Sequence, residues 1–121
     1  MELTPLARPG QQVIERYGPS GFRVSGAVYH GAVLVFPDLT IVWEAAAMTE
    51  TGLAPVIGHG GIELLLLGLG RRMAPVAPTL RAALRSRGIA VEAMDTGAAC
   101  RTYNVLLAED RRVAAALLPP I

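Results

Sequence analysis

A short apolar run near the middle of this 121-residue chain is bounded by glycines on both sides. It extends from Ile62 to Leu67, follows the loop-forming segment Gly58-His59-Gly60-Gly61, and is closed by Gly68. Leucine does not favour strands strongly, so periodicity alone does not separate a buried strand from a buried helix here. The shortness of the run and its flanking glycines favour a central strand that is covered on both faces.

The residues after this run predict a helix over 75–87 and a second strand over 89–94. The apolar residues of the predicted helix recur at four-residue spacing: Val76, Leu80 and Leu84. Gly88 suits the left-handed position that often ends a helix. Together the segments predict a β–α–β unit, with parallel strands near 63–68 and 89–94 joined by a right-handed crossover.

The remainder of the C-terminal half is predicted to be helical. Asp95 or Thr96 is expected to cap a helix over roughly 97–108. A second helical segment is predicted to begin at Glu109 and to end at Pro119-Pro120. The C-terminal half therefore has the predicted order βαβα.

The N-terminal half has the composition of β-strands. Phe22-Arg23-Val24-Ser25 alternates apolar and polar residues, which is typical of a half-buried strand. The β-branched and aromatic segment 28–36 fits either a hairpin turning at His30-Gly31 or one strand with a bulge, and we favour the hairpin. Residues 40–43 read as another strand, so the segment 13–43 predicts an antiparallel meander.

These elements predict one α/β domain. Residues 1–10, which contain two prolines, are expected to form a loose N-terminal arm, and residues 11–121 a single globular domain. The segment Glu44-Ala45-Ala46-Ala47-Met48 looks helical. The predicted architecture is a β meander followed by a βαβα half, packed as one unit.

Composition excludes several classes of partner. The formal net charge is +1, which gives little long-range attraction to nucleic acid or acidic lipid. The single cysteine, Cys100, cannot form an internal disulfide, and the chain has no Cys/His cluster for zinc, so we expect a reducing, cytoplasmic compartment. The first residues lack the basic and apolar parts of a signal peptide. The apolar run is far shorter than the roughly 20 residues that span a bilayer. We expect no metal, no cofactor, no nucleic-acid partner and no direct membrane insertion.

The turn after the first predicted parallel strand reads Gly68-Leu69-Gly70-Arg71-Arg72. Ligands of α/β proteins bind beyond the carboxyl ends of parallel strands, and glycine lets the backbone approach a bound group. Arg71 or Arg72 is suited to grip an anion. The turn lacks the third glycine of a dinucleotide-binding fingerprint and is not a P-loop. The alternative is a tight turn with solvated arginines.

A second group of polar residues follows the other parallel strand. Thr96, Cys100 and Tyr103 or Asn104 share roughly one helix face, and a helix N-terminus lowers the pKa of a thiol in its first turn. Each of these residues also has a structural explanation, as an N-cap, a small core residue, or a source of packing and hydrogen bonds. The two segments together predict a binding cleft lined by Gly68, Gly70, Arg71, Arg72, Thr96, Cys100, Arg101, Tyr103 and Asn104.

No catalytic motif accompanies this cleft. His59 lies among glycines and reads either as a flexible general base or as an ordinary loop histidine. The sequence has no Ser/His/Asp set, no Gly-x-Ser-x-Gly, no paired catalytic carboxylates and no basic–aromatic patch. We therefore expect a binding protein rather than an enzyme. The alternative is a protein or enzyme that takes a small molecule or anion at the carboxyl ends of the parallel strands.

A series of short motifs resembles one known family across nearly the whole chain. The motifs are Leu64-Leu65-Leu66-Leu67-Gly68-Leu69-Gly70, Pro78-Thr79-Leu80-Arg81, Gly88-Ile89-Ala90-Val91-Glu92-Ala93-Met94, Thr96, Ala99-Cys100-Arg101-Thr102-Tyr103-Asn104-Val105-Leu106 and Glu109-Asp110-Arg111-Arg112-Val113-Ala114-Ala115-Ala116-Leu117. The N-terminal half agrees as well, in the stretch from Ile14 to Tyr17-Gly18 and at Phe22, Gly31, Pro37 and Trp43. The chain resembles the small-domain family of the mitochondrial respiratory complex I assembly factor three, whose bacterial members are mostly uncharacterised.

This resemblance implies both a fold and a role. The implied fold is a three-layer β/β/α arrangement with a mixed sheet, and the implied role is assembly of a respiratory membrane complex through protein–protein contact. The implied partners are respiratory-complex subunits. In the eukaryotic relatives, the resemblance implies that this contact takes place in mitochondria. A partner surface is expected at the turn 68–72 and at the start of the helix 97–108. The family's turn often reads Gly-Thr-Gly, whereas this chain has Leu69 in place of the hydroxyl residue. The sequence is also compatible with a homo-oligomer of this chain.

Overall fold

The structure, a computed structural model, describes residues 8–72 and 74–121. Within these residues the chain forms eight strands and three helices. In chain order they are β1 (Ile14–Gly18), β2 (Gly21–Val24), β3 (Ala27–His30), β4 (Val33–Val35), β5 (Thr40–Val42), α1 (Ala54–His59), β6 (Leu64–Leu69), α2 (Pro78–Arg85), β7 (Ala90–Met94), α3 (Thr96–Ala108) and β8 (Val113–Leu118).

A five-stranded mixed sheet forms the centre of the fold, in the order β5-β4-β8-β6-β7. β6 runs parallel to both β7 and β8, whereas β4 is antiparallel to β5 and β8. The apolar run therefore forms an interior strand, as predicted. Its alternate side chains enter two separate cores: Leu65 and Leu67 contact one, and Leu66 contacts the other.

The two faces of this sheet are covered by different layers. One face packs against α1, α2 and Trp43. The other packs against α3 and against a second, three-stranded antiparallel sheet in the order β1-β2-β3. The α/β fold class with a mixed sheet, predicted from the sequence and from the family resemblance, is confirmed.

The predicted β–α–β unit is also confirmed. β6 and β7 pair in parallel, with Gly68 opposite Met94, and α2 connects them. Asp95 caps α3, because its carboxylate accepts a hydrogen bond of 2.9 Å from the backbone N–H of Ala98.

The predicted hairpin at His30-Gly31 is wrong, and so is its alternative, a single bulged strand. β3 pairs with β2 in the small sheet, whereas β4 pairs with β5 and β8 in the large one. Gly31, at φ +80°, lies where the chain passes between the two sheets. The burial of the strands explains the change of partner, since β4 is buried throughout and β3 is mostly exposed.

The helix predicted over residues 44–48 does not form. This segment is irregular, and the helical residues are those of α1, which includes Gly58 and His59 of the predicted loop. The indole N–H of Trp43 donates a 2.8 Å hydrogen bond to the carbonyl of Gly52. This bond ties the end of the segment to the buried indole, and such a short alanine tract has little helical stability of its own.

The helix predicted from Glu109 is wrong as well. Asp110, at φ +62°, lies in the turn after α3, and the chain then enters β8 between β4 and β6. Alanine favours helix only weakly compared with tertiary burial. Both faces of β8 are buried under other layers, so the C-terminal half has the order βαβαβ.

Most of the N-terminal arm predicted over residues 1–10 lies outside the described residues. Arg8, within that arm, forms an exposed ion pair with Asp110. The boundary at residue 11 stays a prediction.

Candidate functional site

The two turns of the predicted cleft lie side by side and are bonded directly to each other. The hydroxyl of Thr96 accepts a 2.8 Å hydrogen bond from the N–H of Gly70 and donates a 2.6 Å bond to the carbonyl of Leu118. The N–H of Thr96 also donates to the carbonyl of Gly70, at 2.8 Å. Thr96 is 0% exposed, so its side chain ties the ends of β6 and β8 to the start of α3.

β6 and α3 approach each other closely at Gly68. A Cβ atom at this position would lie 2.8 Å from Cδ2 of Leu117, and 3.1 and 3.2 Å from the Oγ1 and Cα atoms of Thr96. Neither neighbour can move easily, because Leu117 and Thr96 are both fully buried. Gly68 therefore sets the helix-to-sheet distance and presents no open backbone to a ligand.

We expect Gly68→Ala to destabilise the protein by about 1–3 kcal/mol, the usual cost of overpacking a buried site. Gly18→Ala is the matched control, because Gly18 is also in a strand and a Cβ there would meet nothing within 4 Å. That variant should be neutral or stabilising by up to about 1 kcal/mol. Chemical denaturation measures both, and equal values would contradict the tight contact at Gly68.

The predicted site residues further along α3 lie mainly against the small sheet. Cys100 and Tyr103 are fully buried in the core shared with β1 and β2. The hydroxyl of Tyr103 donates to the carbonyl of Gln12 at 3.0 Å, and the side chain of Asn104 bonds both backbone groups of Ile14.

Burial also decides the chemistry of these groups. It raises the pKa of the Cys100 thiol to about 12, despite the nearby positive charge of Arg101, and it raises the pKa of Tyr103 as well. Both side chains are therefore neutral at pH 7. Arg101 is exposed and donates to the hydroxyl of Tyr17 at 3.3 Å.

An open pocket of about 460 Å³ lies on the other side of the turn after β6. We call it the rim pocket, because it sits where the carboxyl ends of β6 and β8 meet the amino end of β4. Its lining residues are Gly31, Ala32, Ala46, Leu69, Gly70, Arg71, Arg72, Leu118, Pro119 and Ile121. Of the nine predicted site residues, the pocket brings together Gly70, Arg71 and Arg72 alone.

The other lining residues were missed because their positions depend on elements that the sequence did not reveal. Leu118 and Pro119 reach the rim only as the end of a strand, and Ala46 only because residues 44–48 are not helical. The one sequence signal that pointed to this pocket was the pair of arginines beside a glycine turn. The side chain of Arg71 donates to the carbonyl of Pro120 at 3.3 Å.

His59 lies away from this pocket and forms a separate contact. Its ring stacks on Phe36 with a centroid distance of 4.3 Å. One ring nitrogen faces the carbonyl of Gly60 at 2.7 Å, and the other faces the carboxylate of Asp38 at 2.8 Å. Both neighbours are acceptors, so both bonds require the doubly protonated ring.

This geometry predicts a pH-dependent stability. Burial by itself lowers the pKa of His59, but the hydrogen bonds to Gly60 and Asp38 outweigh it and raise the pKa above 6.5. The stabilisation is therefore complete below pH 6.5 and is lost as the pH rises through the folded-state pKa. Because the Asp38 side chain is 65% exposed, we expect a loss of under about 1 kcal/mol.

Denaturation curves between pH 5.5 and 8.5 would measure this loss, with His59→Gln as the control that removes it. A slope unchanged by His59→Gln would contradict the contact.

The fold and the comparisons define the class of this protein. A Bordetella pertussis protein described as an Mth938-like domain superposes with a TM-score of 0.82 and 30% identity, covering 99% of this chain and 93% of that one. The profile described as "Protein of unknown function (DUF498/DUF598)" matches residues 14–118. The chain belongs to this family.

Two curated relatives are similar to this chain over most of its length. An uncharacterised protein of Rhodobacter capsulatus is 39% identical, over 91% of this chain and 86% of its own length. The NADH dehydrogenase (ubiquinone) 1 alpha subcomplex assembly factor 3 of Danio rerio is 36% identical over 89% of this chain. This chain spans 64% of the length of that assembly factor. Among residues 8–72 and 74–121, no helix is long and apolar enough to cross a membrane, and no cluster of His, Cys, Asp and Glu could hold a metal.

Proposed function

We propose that this chain is a non-enzymatic assembly factor, which supports a respiratory complex of the complex I type by binding one of its protein components. The observation that carries the proposal is the 36% identity with the Danio rerio assembly factor over 89% of this chain. In this proposal the protein acts in the cytoplasm, in line with its single cysteine.

We further propose that the partner contacts the rim pocket. Arg71 and Arg72 of the predicted cleft are exposed and line this pocket, whereas Thr96, Cys100 and Tyr103 are buried. Exposed apolar residues beside arginine are typical of protein-binding surfaces. Ile121, at 84% exposure, continues the apolar lining outwards.

Purification of the tagged full chain from its own cells under gentle lysis tests the assembly role. NADH dehydrogenase subunits should be enriched over a tag-only control, and deletion of the gene should reduce the assembled complex on native gels. If no such subunit is enriched and the deletion leaves the complex unchanged, the assembly role is wrong.

A second candidate function is the binding of a small anionic molecule, because the rim pocket has the volume of a ligand site. Thermal-shift screening with nucleotides and carboxylates tests it. A ligand at a hundred times its dissociation constant stabilises the folded protein by about 2.7 kcal/mol. A screen in which nothing raises the unfolding temperature would contradict this candidate.

A further inference from the structure

We propose that the rim pocket receives an apolar side chain of the partner, with an adjoining carboxylate of the same segment bound by Arg71 and Arg72. This inference rests on the assembly role and specifies the partner chemistry at the same surface. The carboxylate is an acidic side chain of that segment, and the experiment below tests this source against a terminal carboxyl group.

The shape of the pocket favours an apolar insertion. Leu69 and Leu118 are register partners at the ends of two parallel strands, and both are half-buried at the rim. Ala46 and Ile121 complete the apolar lining from separate segments. Covering this lining with an apolar side chain removes apolar area from water, which is the main driving force in most protein association.

The charges favour an acidic neighbour for that side chain. The charged side chains that line the pocket, among the residues the structure describes, are those of Arg71 and Arg72, and both are exposed. A guanidinium group matches the planar geometry of a carboxylate and binds it through two parallel hydrogen bonds. An acidic segment would therefore be attracted and oriented, while a basic one would be repelled.

The backbone at Ala46 shapes the lining of the pocket. Ala46 has φ +45°, a left-handed conformation that glycine adopts at much lower cost. The chain thus keeps a strained side-chain-bearing residue in the lining, where the Ala46 methyl group adds to the apolar surface.

Short blocked peptides and NMR of the ¹⁵N-labelled full chain test the proposal. The probes are a leucyl-glutamyl peptide blocked at both ends, its leucyl-glutaminyl counterpart, and acetyl-diglycyl-leucine with a free carboxylate. We expect the leucyl-glutamyl peptide to shift the amide signals of Ala32, Ala46 and Gly70. The glutaminyl counterpart should bind about tenfold more weakly. Tighter binding of acetyl-diglycyl-leucine would overturn the acidic side chain as the source of the carboxylate.

Matched variants separate the specific contact from general charge effects. The double variant Arg71→Gln/Arg72→Gln should weaken binding of the leucyl-glutamyl peptide at least tenfold. The pair Arg85→Gln/Arg87→Gln makes the same charge change near the opposite rim of the sheet and should leave binding unchanged. Ala46→Gly should raise the unfolding temperature and weaken binding about threefold, since it relieves strain and removes one methyl group.

The proposal is overturned if the leucyl-glutamyl peptide does not shift the pocket signals, or if its glutaminyl counterpart binds as tightly. Its failure is distinguishable from failure of the assembly role. If respiratory subunits copurify equally with the wild-type chain and the Arg71→Gln/Arg72→Gln variant, the assembly role stands and this pocket chemistry is wrong. If the peptides bind but no respiratory subunit copurifies, the pocket chemistry stands and the assembly role is wrong.

Discussion

Replacing Thr96 with valine is expected to lower the free energy of unfolding by about 3 kcal/mol. The hydroxyl bonds the N–H of Gly70 and the carbonyl of Leu118, in a position that is closed to solvent. Valine has the same shape but neither a donor nor an acceptor, so both backbone groups lose their partner. Each buried polar group left without a hydrogen-bond partner lowers the free energy of unfolding by about 1–3 kcal/mol. Guanidinium denaturation of the two proteins measures the difference.

Thr102→Val is the control for this prediction. Thr102 lies on the same helix, is half-buried, and has no side-chain hydrogen bond among the described residues. Its replacement should change stability by no more than about 0.5 kcal/mol. Thr96→Ser, which keeps the hydroxyl, should recover most of the loss. If Thr96→Val and Thr102→Val cost the same, Thr96 does not hold the turns together.

The sequence predicted the β6–α2–β7 unit because its signals are local. An apolar run between glycines indicates a strand covered on both faces, and leucines at four-residue spacing indicate a helix that packs on it. The N-cap at Asp95 is likewise readable from residue type and position alone. These signals were sufficient to place two parallel strand ends side by side.

β8 could not be predicted in the same way. Its sequence, Val113-Ala114-Ala115-Ala116-Leu117-Leu118, is locally suited to a helix, and alanine carries no periodic pattern. The strand forms because β4 and β6 both offer backbone partners, and because layers on both faces bury it. That information is distributed over distant parts of the chain, so the rim pocket, which needs the end of β8, was not predictable either.

The helical spacing of the candidate site residues marks a buried face of α3. Cys100 and Tyr103 do fall on one face of α3, but Ala99 and Leu107 share that face and make it apolar. Such a face packs inward. The spacing correctly placed these residues on one face of α3. Because that face is buried, its residues hold the small sheet to α3.

Asn104→Ala tests this structural role and is expected to cost about 2–3 kcal/mol. The side-chain carbonyl of Asn104 accepts from the N–H of Ile14 at 3.1 Å, and its amide donates to the carbonyl of Ile14 at 2.8 Å. β1 is an edge strand, so this amide bonds its outer edge as a neighbouring strand would. Without it, β1 should separate from α3 more readily than the large sheet opens.

Hydrogen exchange shows where this loss occurs, since each 1.4 kcal/mol corresponds to a tenfold fall in protection. Amides of the small sheet, such as those of Ile14 and Phe22, should lose at least tenfold, while that of Leu66 in the large sheet should lose less. Val105→Ala, an exposed change on the same helix, should leave all of them within about 0.5 kcal/mol. Asn104→Asp keeps the acceptor for the N–H of Ile14 but places a carboxylate oxygen against its carbonyl, so it should not restore protection. Full protection in Asn104→Ala would mean that packing of Tyr103 and Ile14 alone holds the small sheet in place.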